Sequence, residues 1–159
     1  MTLRPVPTAG VSDNAVGVEA TVTATEMFLE WLRTQHHEAG FALHDGDAEP
    51  KLALWSTDEP RTLFGAFWFE ALNADQARAA LGSLAEKFSD CTEYSEDLIA
   101  YGVSGDMAYT VGHERALMRV DGEPRAHRLR VTQVYRREDG GWKVVHRHAD
   151  EANREGTSL

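Results

Sequence analysis

Cysteine is nearly absent from this chain, with Cys91 alone among 159 residues. A single thiol excludes an internal disulfide and any multi-cysteine metal site. No obvious base lies near Cys91 in sequence, so it reads as a small core residue and not as a nucleophile. Long hydrophobic runs are missing as well. No segment approaches the roughly 20 apolar residues of a membrane span, and Met1–Val22 lacks the apolar stretch of a signal peptide. The expectation is a cytoplasmic protein with no membrane partner. Positive charge is scarce: 16 Lys and Arg stand against 26 Asp and Glu, for a formal charge of −10. That balance excludes nucleic acid as the main partner. The glycine-containing turns lack the strand-to-helix setting of phosphate loops, so nucleotide binding has no support. Internal repeats and low-complexity segments are also lacking.

What is present describes one globular domain with a sizeable core: 159 residues, 42% of them hydrophobic, with a mean hydropathy of −0.43. The charge is unevenly spread. Nine of the sixteen basic residues fall between His113 and Arg147. They read either as solvated strand faces that protect sheet edges or as a positive mouth favouring an anionic small molecule.

Along the chain, residues 1–22 carry Pro5, Pro7, Gly10 and Gly17 among polar residues without hydrophobic period, and read as a flexible N-terminal arm. From Thr23 the period changes. Ala24, Phe28, Trp31, Leu32, Gln35, Ala39, Ala42 and Leu43 form one stripe of a long amphipathic helix that stops at Asp45-Gly46-Asp47. Gly40 inside it predicts a kink or close packing, and His36 is expected to border solvent. Pro50 opens a short helix in which Leu52 and Trp55 share a face. Arg61–Phe69 reads as a strand running into a loop. Asn73 with Gln76 starts a helix that buries Ala77, Leu81, Leu84 and Phe88.

Four strand-like runs follow, at 92–104, 107–120, 125–137 and 142–150, with tight-turn sequences between them. Helices first and an antiparallel meander afterwards predict an α+β fold, a curved sheet packed on one side by helices. The domain is expected over 23–150, with 151–159 as a polar C-terminal tail.

The last hairpin, Leu129–Asp150, carries the candidate site. His146 and His148 lie two residues apart on a strand and therefore share a face. Aligning the apolar faces of the hairpin pairs Tyr135 with Val144, Gln133 with His146 and Val131 with His148. Gln133 and both histidines then face the helices. A bulge would slip the register by one residue and exchange Gln133 for Arg130 and Thr132. Histidine titrates near neutral pH, so His148 and His146 are the candidate catalytic base and its partner. As metal ligands they lack an evident third group, with Asp150, Glu114 and His113 the only candidates, and neither metal nor other cofactor is expected. Arg130 and Asp150 read as a structural ion pair across neighbouring strands or as a clamp on a ligand. Trp55, Phe64, Phe67 and Tyr109 read mainly as core, and those at the open end would contact an apolar ligand.

The succession LALWS, TLFGAF, SGDMAYTVGHE and LRVTQVYRREDGGWKVVHRHAD resembles the SnoaL-like branch of the nuclear transport factor 2-like superfamily over about Ala24 to Asp150. Its final hairpin also resembles the association domain of calcium/calmodulin-dependent protein kinase II. The resemblance implies a cone of curved antiparallel sheet around a long N-terminal helix, the cystatin-like fold, with a pocket in its open end and a homodimer through the outer sheet face. His113 and Gln133 resemble pocket positions of the kinase association domain, where the counterpart of Gln133 is basic. The HRHAD ending carries over His146, His148 and Asp150. Ketosteroid isomerase, a relative, has an Asp base and Tyr and Asp oxyanion donors that find no counterparts here.

Two functions follow as expectations. One is a small-molecule-binding protein that acts as a cofactor-independent isomerase, cyclase or dehydratase on an apolar carbonyl compound. His148 or His146 would be its base, with Gln133, Tyr109 or Arg130 donating to the oxyanion. The other is a non-catalytic ligand-binding or oligomerisation domain of the same fold. An apolar or weakly anionic small molecule is the expected ligand.

Overall fold

The computed structural model describes residues 22–152 apart from Trp68, so the expected arm at 1–22 lies almost wholly outside the described residues, as does the expected tail at 151–159 beyond Ala152, while Glu151 is the last residue of a strand. The first element begins at Thr23, whose hydroxyl accepts from the Glu26 amide at 3.1 Å while the Glu26 carboxylate accepts from the Thr23 amide at 2.8 Å. This reciprocal cap satisfies two amides that a helix start leaves open. Helix α1 (Ala24–Trp31) passes into a π-helical turn (Leu32–His36) and then into α2 (His37–His44) without a break in right-handed backbone. The wider turn inserts one extra residue into the period. The inward position therefore moves from Gln35, which is exposed, to His36, which is 1% exposed. The expectation that His36 borders solvent is overturned for that reason.

Gly40 is a site of close packing, as its place in the sequence suggested, and the irregularity of the helix lies one turn earlier. A Cβ at Gly40 would collide with the ring and hydroxyl of Tyr94. The short α3 (Glu49–Ala53) precedes β1 (Thr62–Gly65) and β2 (Phe69–Ala71). Helix α4 (Ala74–Lys87) starts on Asn73, whose side chain accepts from the Gln76 amide at 3.0 Å, and Gln76 accepts in turn from the Leu72 amide at 2.8 Å. It runs directly into β3 (Phe88–Ser104), followed by β4 (Met107–Val120), β5 (Glu123–Glu138) and β6 (Gly141–Glu151).

The α+β expectation holds: the six strands form one curved sheet in the order β2-β1-β6-β5-β4-β3. β3 to β6 are an antiparallel meander, while β1 joins β6 in parallel. The turns after β4 and β5 are two-residue turns, Asp121-Gly122 and Asp139-Gly140, with positive φ at both positions. That is the geometry that matches the twist of a hairpin. The main core lies between α1, α4 and the concave face of the sheet, around Phe28, Trp31, Leu63, Leu81, Tyr135 and Val144. Phe28 meets Tyr135 and Trp142 edge-on at 5.2 and 5.0 Å, the arrangement favoured by aromatic quadrupoles.

The register of the last hairpin corrects the sequence reading. Tyr135 does pair with Val144, as alignment of the apolar faces predicted, but a bulge at Val145 follows. Beyond it Val134 pairs with His146, Gln133 with Arg147, Thr132 with His148 and Val131 with Ala149. Two consecutive buried residues, Val144 and Val145, mark the bulge. Because the extra residue is in β6 and not in β5, Gln133 keeps its inward position. It is the histidines that change face, and Arg147 takes their place inside.

A buried ionic network between two cavities

On the concave side of the sheet, Arg147 of β6 reaches Glu114 of β4. Its two terminal nitrogens donate to the two carboxylate oxygens at 3.0 and 2.9 Å. Such a planar double bond is the geometry for which Arg is suited. Tyr94, pressed over Gly40, sets its hydroxyl 3.0 Å from Glu96 and 3.2 Å from Glu114. Tyr94 and Glu96 are two residues apart on β3 and share its inner face. Glu96 also accepts from His36 Nδ1 at 3.0–3.1 Å. The other ring nitrogen of His36 faces Lys51 Nζ and the Gln133 amide, each at 3.4 Å. Gln133 donates further to the Tyr135 hydroxyl at 2.9 Å, which bonds to Thr110 at 2.9 Å.

The donors assign the proton of His36. Lys51 has only hydrogens to offer, so Nε2 is the acceptor and Nδ1 carries the hydrogen that goes to Glu96. Electrostatics agree with a neutral ring, since burial pushes the His36 pKa down. Burial likewise lowers that of Lys51. For Glu96, burial favours the acid, but His36 beside it and the Lys51 charge outweigh burial and hold the carboxyl at about 2. Burial opposes ionisation of Glu114 too, and Arg147 with His44 and Lys51 holds it well below the usual carboxylate range. Burial raises the Tyr94 hydroxyl, and the two carboxylates beside it raise it further. The network is therefore two carboxylates against Arg147 and Lys51, with neutral rings between them.

Two cavities open on either side. The first, here the α1 cleft, holds about 340 Å³, within the range of small-molecule sites. Leu32, Leu98 and Val131 make its walls, and Glu96, Gln133 and Glu114 reach it from the network. The second, the α4 pocket, is about 40 Å³, with walls from Leu43, Leu81, Phe67 and Phe88 and with His44, Lys51, Glu114, His127 and Arg147 at its polar end. Here His44 Nε2 lies 3.2 Å from His127 Nε2 and 3.7 Å from Glu114. His44, Glu114 and His127 are thus the described residues grouped as a metal could require.

The residues singled out from the sequence are divided between two faces. Gln133 is buried in the network, and Gln133 and His113 both line the α1 cleft. His146 and His148 lie on the opposite face and line neither cavity. His146 Nδ1 meets the Thr62 hydroxyl at 2.7 Å, and Phe64 stands edge-on to both imidazoles. Burial, together with the neighbouring His148, lowers the His146 pKa. Asp150 and Arg130 form an exposed ion pair across the sheet at 2.7 Å, the structural arrangement weighed above. Tyr109 is exposed on β4, and Trp55 is in the core, bridged to Val144. Glu114 joins Arg147, Lys51, His36, Tyr94 and Glu96, of which only Glu114 was a sequence candidate. Lys51 had a legible signal: it precedes Trp55 by four residues and so shares the buried face of its turn.

A profile of the SnoaL-like domain matches residues 30–149. No curated protein matches the chain in sequence. Among solved structures, a provisionally assigned dehydratase of the NTF2-like family from Streptomyces avermitilis is 18% identical, with a TM-score of 0.70 over 82% of this chain and 100% of that one. An NTF2-like superfamily protein from Salmonella enterica serovar Typhimurium is 18% identical, with a TM-score of 0.64 over 84% and 96%. A provisionally assigned calcium/calmodulin-dependent protein kinase II association domain from Thiobacillus denitrificans is 16% identical, with a TM-score of 0.58 over 85% and 100%. At these identities the likeness is one of fold.

Proposed function

The chain belongs to the SnoaL-like domain family, and from that membership we propose a small-molecule-binding protein whose ligand lies in the α1 cleft against Glu96 and Gln133. One observation carries this reading: between the apolar Leu32, Leu98 and Val131, in a cleft that Arg33, Asp97 and His113 also line, the floor offers acceptors. The Glu96 side chain is 17% exposed, and Gln133 Oε1 is buried without a partner among the described residues. A ligand with an apolar body and a hydroxyl, amine or amide hydrogen satisfies both. Of the apolar or weakly anionic compounds expected from the sequence, the carboxylate favours the neutral ones.

Cofactor-independent proton transfer, as in an isomerase, cyclase or dehydratase, is the second reading. The Tyr135 and Thr110 hydroxyls beside the cleft favour it, since they can polarise a carbonyl. A carboxyl held at about 2 is a weak base at neutral pH, so binding is the better supported of the two. A homodimer through the outer sheet face agrees with exposed Ile99, Met107, Tyr109 and Leu117 and would sediment at twice the chain mass.

The test compares three probes of one skeleton, indanol, indanone and indane carboxylate, by methyl NMR. Indanol is expected to shift the resonances of Leu32 and Val131 more strongly than the carboxylate does. Glu96→Gln should weaken indanol about tenfold or more, the worth of a hydrogen bond to a charged group. Leu98→Trp, at an exposed position, should block all three. Preference for the carboxylate, or binding that survives Leu98→Trp, overturns the assignment.

A further inference from the structure

On the α4-pocket side of the network, three metal-ligating side chains converge from three elements: His44 at the end of α2, Glu114 on β4 and His127 on β5. We propose that they bind a divalent transition metal of zinc type, with an open coordination position towards the α4 pocket. Their ligand atoms all lie within 4.8 Å of one another. In a tetrahedral site with Zn–N bonds of about 2.0–2.1 Å, neighbouring ligand atoms are about 3.3–3.4 Å apart. The two imidazole nitrogens, at 3.2 Å, already stand at that separation; Glu114 lies 3.7 Å from His44 and within 4.8 Å of His127, so the carboxylate must draw in towards both rings to complete the site.

The protonation of His44 supports the assignment independently of the spacing. His44 Nδ1 lies 2.7 Å from the Gly40 carbonyl, which can only accept. The hydrogen of the neutral ring is therefore on Nδ1, and Nε2 presents its lone pair to His127 and Glu114. This is the backbone-carbonyl support typical of metal-bound histidine. Arg147 holds Glu114 in the same outer role. His127 Nδ1 has no partner among the described residues, so without a metal the His127 hydrogen sits on Nε2 and is donated to His44 Nε2; a metal takes the place of that hydrogen. Two imidazole nitrogens at this distance need a hydrogen or a cation between them, and the carboxylate alongside favours a cation.

Two histidines and a carboxylate are the donor set of zinc sites that keep a fourth position for water or substrate. The α4 pocket supplies that space, about 40 Å³ beside the three ligands. Arg147 and Lys51 oppose a dication there and the carboxylates of Glu96 and Glu114 offset them. Binding is accordingly weaker than at a closed site of four protein ligands.

Full-length protein stripped with a chelator is titrated with Co(II) and then Zn(II). The expected result is a single equivalent of Co(II) per chain with the intense visible bands of tetrahedral coordination, displaced by Zn(II). His127→Ala, at a half-buried position, should keep its circular dichroism spectrum. It should lose at least the roughly 10–100-fold in affinity that even an outer-shell partner contributes. The His146→Ala/His148→Ala double variant, altered only on the opposite face, should bind as the parent does. Absence of stoichiometric binding overturns the proposal and leaves a shared proton between His44 and His127. Unchanged affinity in His127→Ala, or loss in the double variant, overturns it as well.

Discussion

Arg147 and Glu114 remain ions inside the protein because they bond each other through two parallel hydrogen bonds, with Glu114 buried and Arg147 only 11% exposed. Glu114→Gln would leave the Arg147 guanidinium buried against a neutral amide. Breaking a buried pair from one side costs about 3–5 kcal/mol, so a loss of that size is expected in urea unfolding. Arg147→Met should cost a similar amount, while the double variant Glu114→Gln/Arg147→Met should recover much of the loss, since no lone charge remains. A cost under about 1 kcal/mol for each single variant would mark the pair as a solvated surface contact and would remove it as the anchor of the network. At this scale the sequence was legible only in part. Glu114 stood out, as did Gln133. Arg147 did not, because strict alternation along β6 assigned it to the outer face together with Val145.

Two elements change phase by one residue, and these phase shifts decide which side chains meet. The π-turn at Leu32–His36 exchanges Gln35 for His36, and the bulge at Val145 exchanges two histidines for Arg147. Deleting Val145 removes the extra residue and leaves the pairs themselves in place: His146 then follows Val144 directly, opposite Val134, and Arg147 stays opposite Gln133 beside Glu114. The expected outcome is a chain that keeps a single cooperative transition, weakened by about 1.5–3 kcal/mol for the lost buried valine, in urea titration monitored with tryptophan fluorescence. Loss of the cooperative transition would show that the bulge is needed for more than the phase of β6.

The helices, their caps, the hairpin turns and the strand runs were legible because each has a local cause, such as a capping residue, a glycine at positive φ or an apolar period. The bulge and the π-turn have none of comparable strength. They arise where packing from both sides outweighs local preference, and their only trace is a break in period, as in the adjacent buried pair Val144 and Val145.

For the molecule as a whole, the buried carboxylates and histidines act on stability in one direction as pH falls. The carboxyl of Glu96 titrates at about 2 in the folded protein against an ordinary 4.5. Its contribution is complete above about pH 4.5 and is lost as pH falls towards 2. Burial, with His44 beside it, lowers His127 to about 4 from 6.5, so below about pH 6.5 the unfolded chain takes up that proton first. Burial lowers His36 and His44 as well, with the same sign. The urea midpoint should therefore fall continuously from about pH 6.5 to about pH 3. The histidines govern the upper part of that range and the carboxylates the lower. A flat midpoint between about pH 6.5 and 5 would mean that the buried rings are already protonated in the native state.

Glu114 borders both cavities. One carboxylate shared by two compartments makes them thermodynamically linked: whatever an occupant of the α1 cleft does to the free energy of binding in the α4 pocket, an occupant of the pocket does to the cleft in equal measure. The ionic wall that divides the interior is thus also the part through which its two halves communicate.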